Sequence, residues 1–276
     1  MLTAAEILNS GVTLLFDAVC RPFAGLPPLW ALTVISLLTG VLLLWLFGLV
    51  SNQSAIRTIR DRIRGNLIAV RLFGDDLGLL LKLQGRLLRD NVVFLKYAVV
   101  PLLVLILPVL LILAQLNLRF GAKPLAPGEA AMLKVTLRDA GTIERGVSLE
   151  APAGVVVETP GVRVAELREV AWRIRPSEPG HHRLVVRIGA EPVEKELRVG
   201  GTWGAVPALR SGAAWQALLF GPGEAPIRST AVESIEIQHK PLELELWGWS
   251  VDWLVSFCVL SLFAGLAVRR VLGVEI

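Results

Sequence analysis

Three stretches of the chain are apolar almost without interruption: Trp30 to Val50, Ala98 to Leu116 and Leu246 to Val268, with Asp252 the single charge inside these limits. Each is long enough to cross the roughly 30 Å hydrocarbon core of a bilayer as a helix, so the pattern predicts an integral membrane protein with three spans. Ahead of them, Ala4, Ile7, Leu8, Val12, Leu15, Phe16 and Val19 recur at spacings of three and four, with Glu6, Asn9, Ser10 and Asp17 between. That period predicts an amphipathic helix within residues 1–29, lying in the outer interface. Arg21-Pro22 and Gly25-Leu26-Pro27-Pro28 end it, and Trp30 is placed to anchor the first span.

Residues 51–97 return to a helical period. Ile56, Ile59, Ile63, Leu67 and Val70 form one stripe with arginines opposite. Gly74-Asp75-Asp76 then interrupts, and either aspartate suits the cap of a second helix through Leu77, Leu80, Leu81, Leu88 and Val92. The simplest arrangement is a helical hairpin. In residues 98–116, Pro101 and Pro108 each remove a backbone donor, which predicts a kink.

From about Ala130 the period falls to two. Met132 to Leu137, Gly154 to Glu158, Val170 to Ile174, His182 to Ile188, Lys195 to Val199 and Ser234 to Gln238 read as strands separated by Gly/Pro turns. Such punctuation predicts an antiparallel sandwich in residues 117–245. Trp172, then Pro179-Gly180 and the Leu184/Val186 strand, resembles an immunoglobulin-like domain. Within it, residues 200–226 are rich in Gly, Ala and Pro and carry Trp203, Trp215 and Phe220; a mobile linker and an interface-dipping segment both fit. Trp247, Trp249 and Trp253 form an aromatic belt at the outer end of the third span.

The fold class is therefore an α+β integral membrane protein: three transmembrane helices, a cytoplasmic helical hairpin and an immunoglobulin-like extracytoplasmic β-sandwich. Charge assigns the sides. Lys and Arg exceed Asp and Glu by 28 to 24, and the surplus sits in residues 51–97 and in the 269–276 tail, which begins Arg269-Arg270. By the positive-inside rule these are cytoplasmic, and the N-terminus and sandwich lie outside. Arg57, Arg60, Arg64, Arg71, Arg86 and Arg89 are candidate cytoplasmic contacts for anionic lipid, an acidic partner or a ribosome. They lack interleaved aromatics and nucleic-acid fold signatures, which argues against specific nucleic-acid binding. No removable signal peptide is expected. Cys20 and Cys258 stand at different depths and give no disulfide framework.

The chain offers little chemistry. It has no nucleophile triad, metal-ligand spacing, GxGxxG or Walker sequence, so neither an enzyme nor a cofactor is expected. His181-His182 reads as a solvated turn. Asp75/Asp76 and Glu194/Glu196 read as a helix cap and a solvated strand face. Polar side chains within the spans are few: Thr33, Ser36, Thr39, Gln115, Ser256 and Ser261.

Leu15-Phe16-Asp17 through Pro27-Pro28-Leu29-Trp30, Ser51-Asn52-Gln53 at the inner end of the first span, the Arg-rich hairpin and the proline-containing second span together resemble the YidC/Oxa superfamily of membrane-protein insertases. The resemblance covers Leu14 to Leu116 and, by topology, Trp247 to Arg270. It implies a three-span core with a groove open to cytoplasm and lipid, a hairpin that receives the client, and a polar patch in a thinned bilayer. Those six polar residues are then the candidate groove. Many bacterial members carry an arginine in the groove, whereas the three spans here contain none, and the sandwich is an insertion relative to the minimal family core. The expected function is insertion or assembly of other membrane proteins in a bacterial inner membrane. The alternative is a noncatalytic scaffolding subunit of an envelope complex, docking through sandwich and hairpin. A transporter is disfavoured for want of an intramembrane ionisable group.

Overall fold

A computed structural model of the protein describes residues 4–72, 77–246 and 248–274. The chain is a mixed α+β structure of apolar helices and antiparallel sheets, divided into two compact units: residues 1–31 with 110–253, and residues 32–109 with 254–276. The caps expected at Asp75/Asp76 and the belt residue Trp247 lie outside the described residues.

Helix α1 (Ala4–Cys20) forms where the apolar spacing places it, and a short 3-10 turn at Arg21–Phe23 ends it with Pro22 near its start. Helix α2 (Pro28–Val50) opens on proline, whose fixed φ and missing N–H suit a first helical position. Helix α3 (Gln53–Leu72) carries the arginines, and Asn52 Oδ1 accepts the Ala55 backbone N–H at 3.1 Å, satisfying one orphan donor of its first turn. Helix α4 (Leu77–Leu116) is 40 residues long and runs on through Pro101 and Pro108, so the second hairpin helix and the second apolar span are one element. It passes at once into a π-helical turn, Asn117–Gly121. Among the described residues, two helices are long and apolar enough to cross a membrane, Pro28–Val50 and Leu81–Gly121.

The sandwich is built from β1 (Ala131–Leu137), β2 (Val147–Glu150), β3 (Val155–Val157), β4 (Val162–Val164), β5 (Glu169–Pro176), β6 (Gly180–Ile188), β7 (Glu191–Val199), β8 (Leu209–Ser211) and β9 (Val232–Ile237). One sheet has the order β3-β5-β1-β9-β8, with β4 also paired to β5; the other has the order β2-β6-β7. All pairings between these strands are antiparallel. Register aligns the inward residues: Leu133 faces Trp172 and Ile237, and Val135 faces Val170 and Ile235. Their side chains meet Leu184, Val186, Val193 and Leu197 from the second sheet in one core, so alternation in sequence becomes a shared interior. His181 and His182 belong to β6 rather than to a turn; His182 Nε2 lies 2.9 Å from the Glu178 carbonyl.

Residues 200–226 are tied down. They contain β8 and a short helix α5 (Ala214–Phe220), and Val206 N–H donates to Leu118 O at 2.8 Å, while Ile227 N–H donates to Ser211 O at 2.9 Å. Lys195 is the fastening point. It occupies an inward register position of β7 between Val193 and Leu197, fully buried, and donates to Pro207 O and to Glu224 Oε2. Glu224 Oε1 also accepts the Glu196 N–H at 2.8 Å. Burial pushes the Lys195 ammonium down from its ordinary pKa against the attraction of Glu224, and burial pushes the Glu224 carboxyl up.

The third apolar stretch is shorter as a helix than its composition implies. Helix α6 spans Trp253–Val268, while β10 (Leu244–Leu246) and β11 (Trp249–Val251) form a hairpin in front of it. Gly248 adopts φ +83° in the turn, a conformation that glycine reaches without strain, and Asp252 directly precedes the helix. Leucine and tryptophan are compatible with either state, and the glycine decides it.

Candidate functional site

The polar residues expected in the spans divide between the two units, Thr33, Ser36, Thr39, Ser256 and Ser261 in one and Gln115 in the other. On α2, Ser36 and Thr39 are buried and Thr33 is half-buried; the Ser36 hydroxyl donates to Leu32 O, one turn back on its own helix, at 2.6 Å. On α6, Ser256 and Ser261 are half-buried, and the Ser261 hydroxyl donates to Cys258 O at 3.2 Å. Gly40 explains this face: a Cβ there would lie 2.1 Å from the Ser261 carbonyl oxygen and 3.0 Å from Ala264 Cβ. The backbones of α2 and α6 touch at a crossing that only glycine permits.

Gln115 belongs to a separate centre whose key member the sequence reading missed. Arg119, in the π-helical turn just beyond α4, is 1% exposed. Its Nη1 donates to Gln115 O at 3.1 Å and Gln115 Oε1 at 2.7 Å; its Nη2 donates to Thr13 O at 3.1 Å and Asp17 Oδ1 at 2.5 Å. Gln115 Nε2 completes the circuit by donating to Thr13 Oγ1 at 2.9 Å, and the guanidinium lies 5.5 Å from the centre of the Phe16 ring. Thr13, Phe16 and Asp17 are spaced so that a single face of α1 supplies all three.

Next to Arg119, Phe120 is fully buried and stacks on Trp203 at 5.4 Å between ring centres, and Trp203 Nε1 donates to Leu26 O at 3.0 Å. An open cavity of about 620 Å³ adjoins this centre, lined by Asp17, Cys20, Arg119, Glu196, Arg198 and Trp203 among others. Burial pushes the Cys20 thiol up in pKa, with Arg119 pulling the other way, which leaves it a poor nucleophile. Both cysteines are unbonded to each other; Cys258 is exposed. Among the described residues, no three His, Cys, Asp or Glu side chains converge as metal ligands would.

The basic residues sort into two groups. Arg57, Arg60 and Arg64 line one cavity of about 480 Å³ together with Arg269, Arg270, Gly273 and Val274. Arg86 and Arg89 are exposed on α4, with Arg89 3.9 Å from Asp90. The Arg71 side chain lies outside those described. Asp90 is itself buried and accepts from Asn66 Nδ2 at 3.1 Å, joining α4 to α3. Ile59 of α3 and Leu83 of α4 are buried as well, whereas Leu67, Ile68, Leu81, Leu88, Val92 and Leu95 are left exposed.

No protein-family model matches the chain, and no curated protein matches it. Among solved structures, the crystal structure of the S-layer protein rSbsC(31-844) matches at 15% identity over 48% of this chain and 22% of that chain, with a TM-score of 0.24. At that score the likeness carries no argument about fold or function.

Proposed function

We propose that this chain is a multi-pass membrane protein acting as an insertase-like chaperone, which helps other membrane proteins insert or assemble. The role is noncatalytic. In this reading α2, the apolar part of α4 and α6 lie in a bacterial cytoplasmic membrane, the α3–α4 hairpin and the tail face the cytoplasm, and the sandwich is periplasmic. Support for the setting comes from the outward apolar side chains of these helices, such as Leu38, Leu42, Leu103, Leu107, Leu262 and Phe263, which water would not tolerate as continuous surfaces. Support for the sides comes from the cavity shared by α3 and tail arginines, since both basic segments then meet at one end of α2 and α6.

One observation carries the functional reading. The hairpin is fastened through Asn66–Asp90 yet leaves Leu67 and Ile68 of α3 and Leu81, Leu88, Val92 and Leu95 of α4 uncovered, and α4 continues directly into an apolar span. Such a surface suits transient cover for an apolar segment on its way into lipid. The test is photocrosslinking from Leu67, Leu81 and Leu88 during pulse-labelling of intact cells. A spread of newly made membrane proteins, lost during the chase, is the expected outcome; persistent capture of one stoichiometric protein, or none, defeats it.

A second reading, a scaffolding subunit of an envelope complex, has its own support. Val156, Val162, Val164 and Leu167 are exposed on and beside the outer strands β3 and β4, an apolar sheet margin suited to a partner. A stable crosslink from Val162, with none from the hairpin, would favour it.

A further inference from the structure

The polarity of α1 is inverted. Asn9, Thr13 and Asp17 follow one another one helical turn apart, and each is bonded to protein: Asn9 Nδ2 donates to Pro222 O at 2.9 Å, Thr13 Oγ1 accepts from Gln115 Nε2, and Asp17 Oδ1 accepts from Arg119 Nη2. Leu14 and Leu15, by contrast, are 69% and 63% exposed. A helix on the surface of a fold surrounded by water has the opposite arrangement, its apolar stripe turned to the core.

Helix α5 repeats the inversion. Its polar side chain, Gln216, accepts the Ser211 hydroxyl at 2.7 Å and Ala217 is buried, while Trp215 and Phe220 are 60% and 54% exposed and meet edge to face at 6.3 Å between ring centres. The helix, AWQALLF, carries no charge. The segment around it is held in place on both sides, because Lys195 donates to Pro207 O before α5 and to Glu224 after it. The same segment grips the chain leading into α2, through Trp203 Nε1 and Leu26 O, and Trp30 in the first turn of α2 is exposed. With Asn9 bonded to Pro222, α1, α5 and the entry to the first apolar span are fastened together, and each presents large apolar side chains outward.

We propose that α5 is a lipid anchor, seating Trp215 and Phe220 in the margin of the bilayer hydrocarbon beside the outward leucines of α1. Lipid is the occupant that fits: the α5 face is uncharged, its rings are of the kind that settle at a membrane margin, and it is fastened to the point where the chain enters α2. The proposal rests on the membrane setting proposed above and adds to it. Two elements far apart in sequence hold the sandwich to the lipid surface, so the spans are not its sole attachment.

The test uses the full chain in phosphatidylcholine vesicles. W215C and F220C, each combined with C20S and C258S, carry an environment-sensitive fluorophore, and quenching by lipid with a nitroxide on its acyl chain is measured. V156C on the sandwich and L38C on α2, both at exposed apolar positions, are labelled in the same way. Quenching from positions 215 and 220 about twofold or more above that from 156 supports the anchor. Quenching no greater than at 156, with strong quenching at 38, overturns the anchor and leaves the membrane setting standing; a blue-shifted but unquenched fluorophore is the form of that result in which protein, such as a second copy, covers the face. Absence of quenching at 38, 215 and 220 alike removes the membrane setting and the anchor together. Circular dichroism checks that each labelled chain is folded. W215F in the otherwise unaltered chain gives a second reading: the share of tryptophan fluorescence quenched by brominated lipid should fall, and an unchanged share overturns the anchor.

Discussion

Arg119 and Asp17, 102 residues apart in sequence, are joined by a 2.5 Å charge-assisted hydrogen bond in which the arginine is almost wholly buried and the aspartate about half exposed. The asymmetry matters. Asp17 can be solvated without its partner, but Arg119 cannot, so the pair fastens α1 to the end of α4 mainly through the needs of the guanidinium.

Replacing Asp17 with Asn should therefore destabilise the fold by about 1–3 kcal/mol, less than a fully buried pair because half of Asp17 already faces solvent. Arg119→Met should cost at least as much, since Gln115 Oε1 and Thr13 O lose their donor together. Tryptophan fluorescence during denaturation of the detergent-solubilised chain reads both. Two variants as stable as the parent would show that the network holds nothing.

Lys195 and Glu224 make a different prediction, because both partners are buried. Glu224→Gln or Lys195→Met alone should cost about 3–5 kcal/mol by leaving the other group uncompensated, while the double change to Met and Leu should cost much less. A double-mutant cycle on thermal unfolding gives the coupling. Additive losses would mean that the strap over β7 is held by packing alone.

His239 gives the sandwich a pH response. Burial holds its imidazole below the ordinary pKa; Nδ1 lies 2.7 Å from Ile237 O, to which it donates, and Nε2 is buried with no hydrogen-bond partner among the described residues. A base whose folded pKa is depressed contributes stability present above the unfolded value, near 6.5, and lost as pH falls below it towards the folded value. Glu129 nearby, held below the usual carboxylate range by the Ala126 N–H and then by Lys240, acts in the same direction at lower pH. Unfolding followed between pH 7 and the acid limit should show a falling midpoint that His239→Gln flattens in its upper part. An unchanged slope would remove His239 as the cause.

At Gly40, substitution tests the α2–α6 crossing. Alanine would set a methyl group 2.1 Å from the Ser261 carbonyl oxygen, so the helices must part, at a cost of about 1–3 kcal/mol. Gly11→Ala, in open space, is the control. Equal melting temperatures in detergent would mean that the two backbones do not touch at Gly40.

Period carried much of the architecture. The spacing in Thr3 to Val19 anticipated α1 at Ala4–Cys20, and alternation anticipated β1, β5, β6, β7 and β9 within one or two residues at most ends. Trp172 is a core residue, as its place in that alternation implies. What escaped were elements defined by partners far away. Strands β2, β4 and β8 are three or four residues long and exist through pairing, and α5 forms inside a Gly/Pro-rich stretch because the strap is fastened on both sides. Arg119 escaped for the same reason: it stands three residues beyond the expected end of the second span, and its acceptors on α1 are more than 100 residues away. The clue was local, since Gln115 and Arg119 are one helical turn apart and both had to find partners if the helix continued. Composition likewise could not separate the β10–β11 hairpin from α6, because Leu246 and Trp249 suit both, and Gly248 was the only punctuation.

That hairpin has a mechanical corollary. Sixteen residues of helix rise only about 24 Å, some 6 Å short of a typical hydrocarbon thickness of about 30 Å. On the membrane reading, α6 creates a hydrophobic mismatch that its 23-residue neighbour α2 does not share. If the proposed setting holds, lipid beside α6 would compress or let water dip inward, and the helix cut short by a glycine turn would mark the side on which a polar segment meets the thinnest barrier.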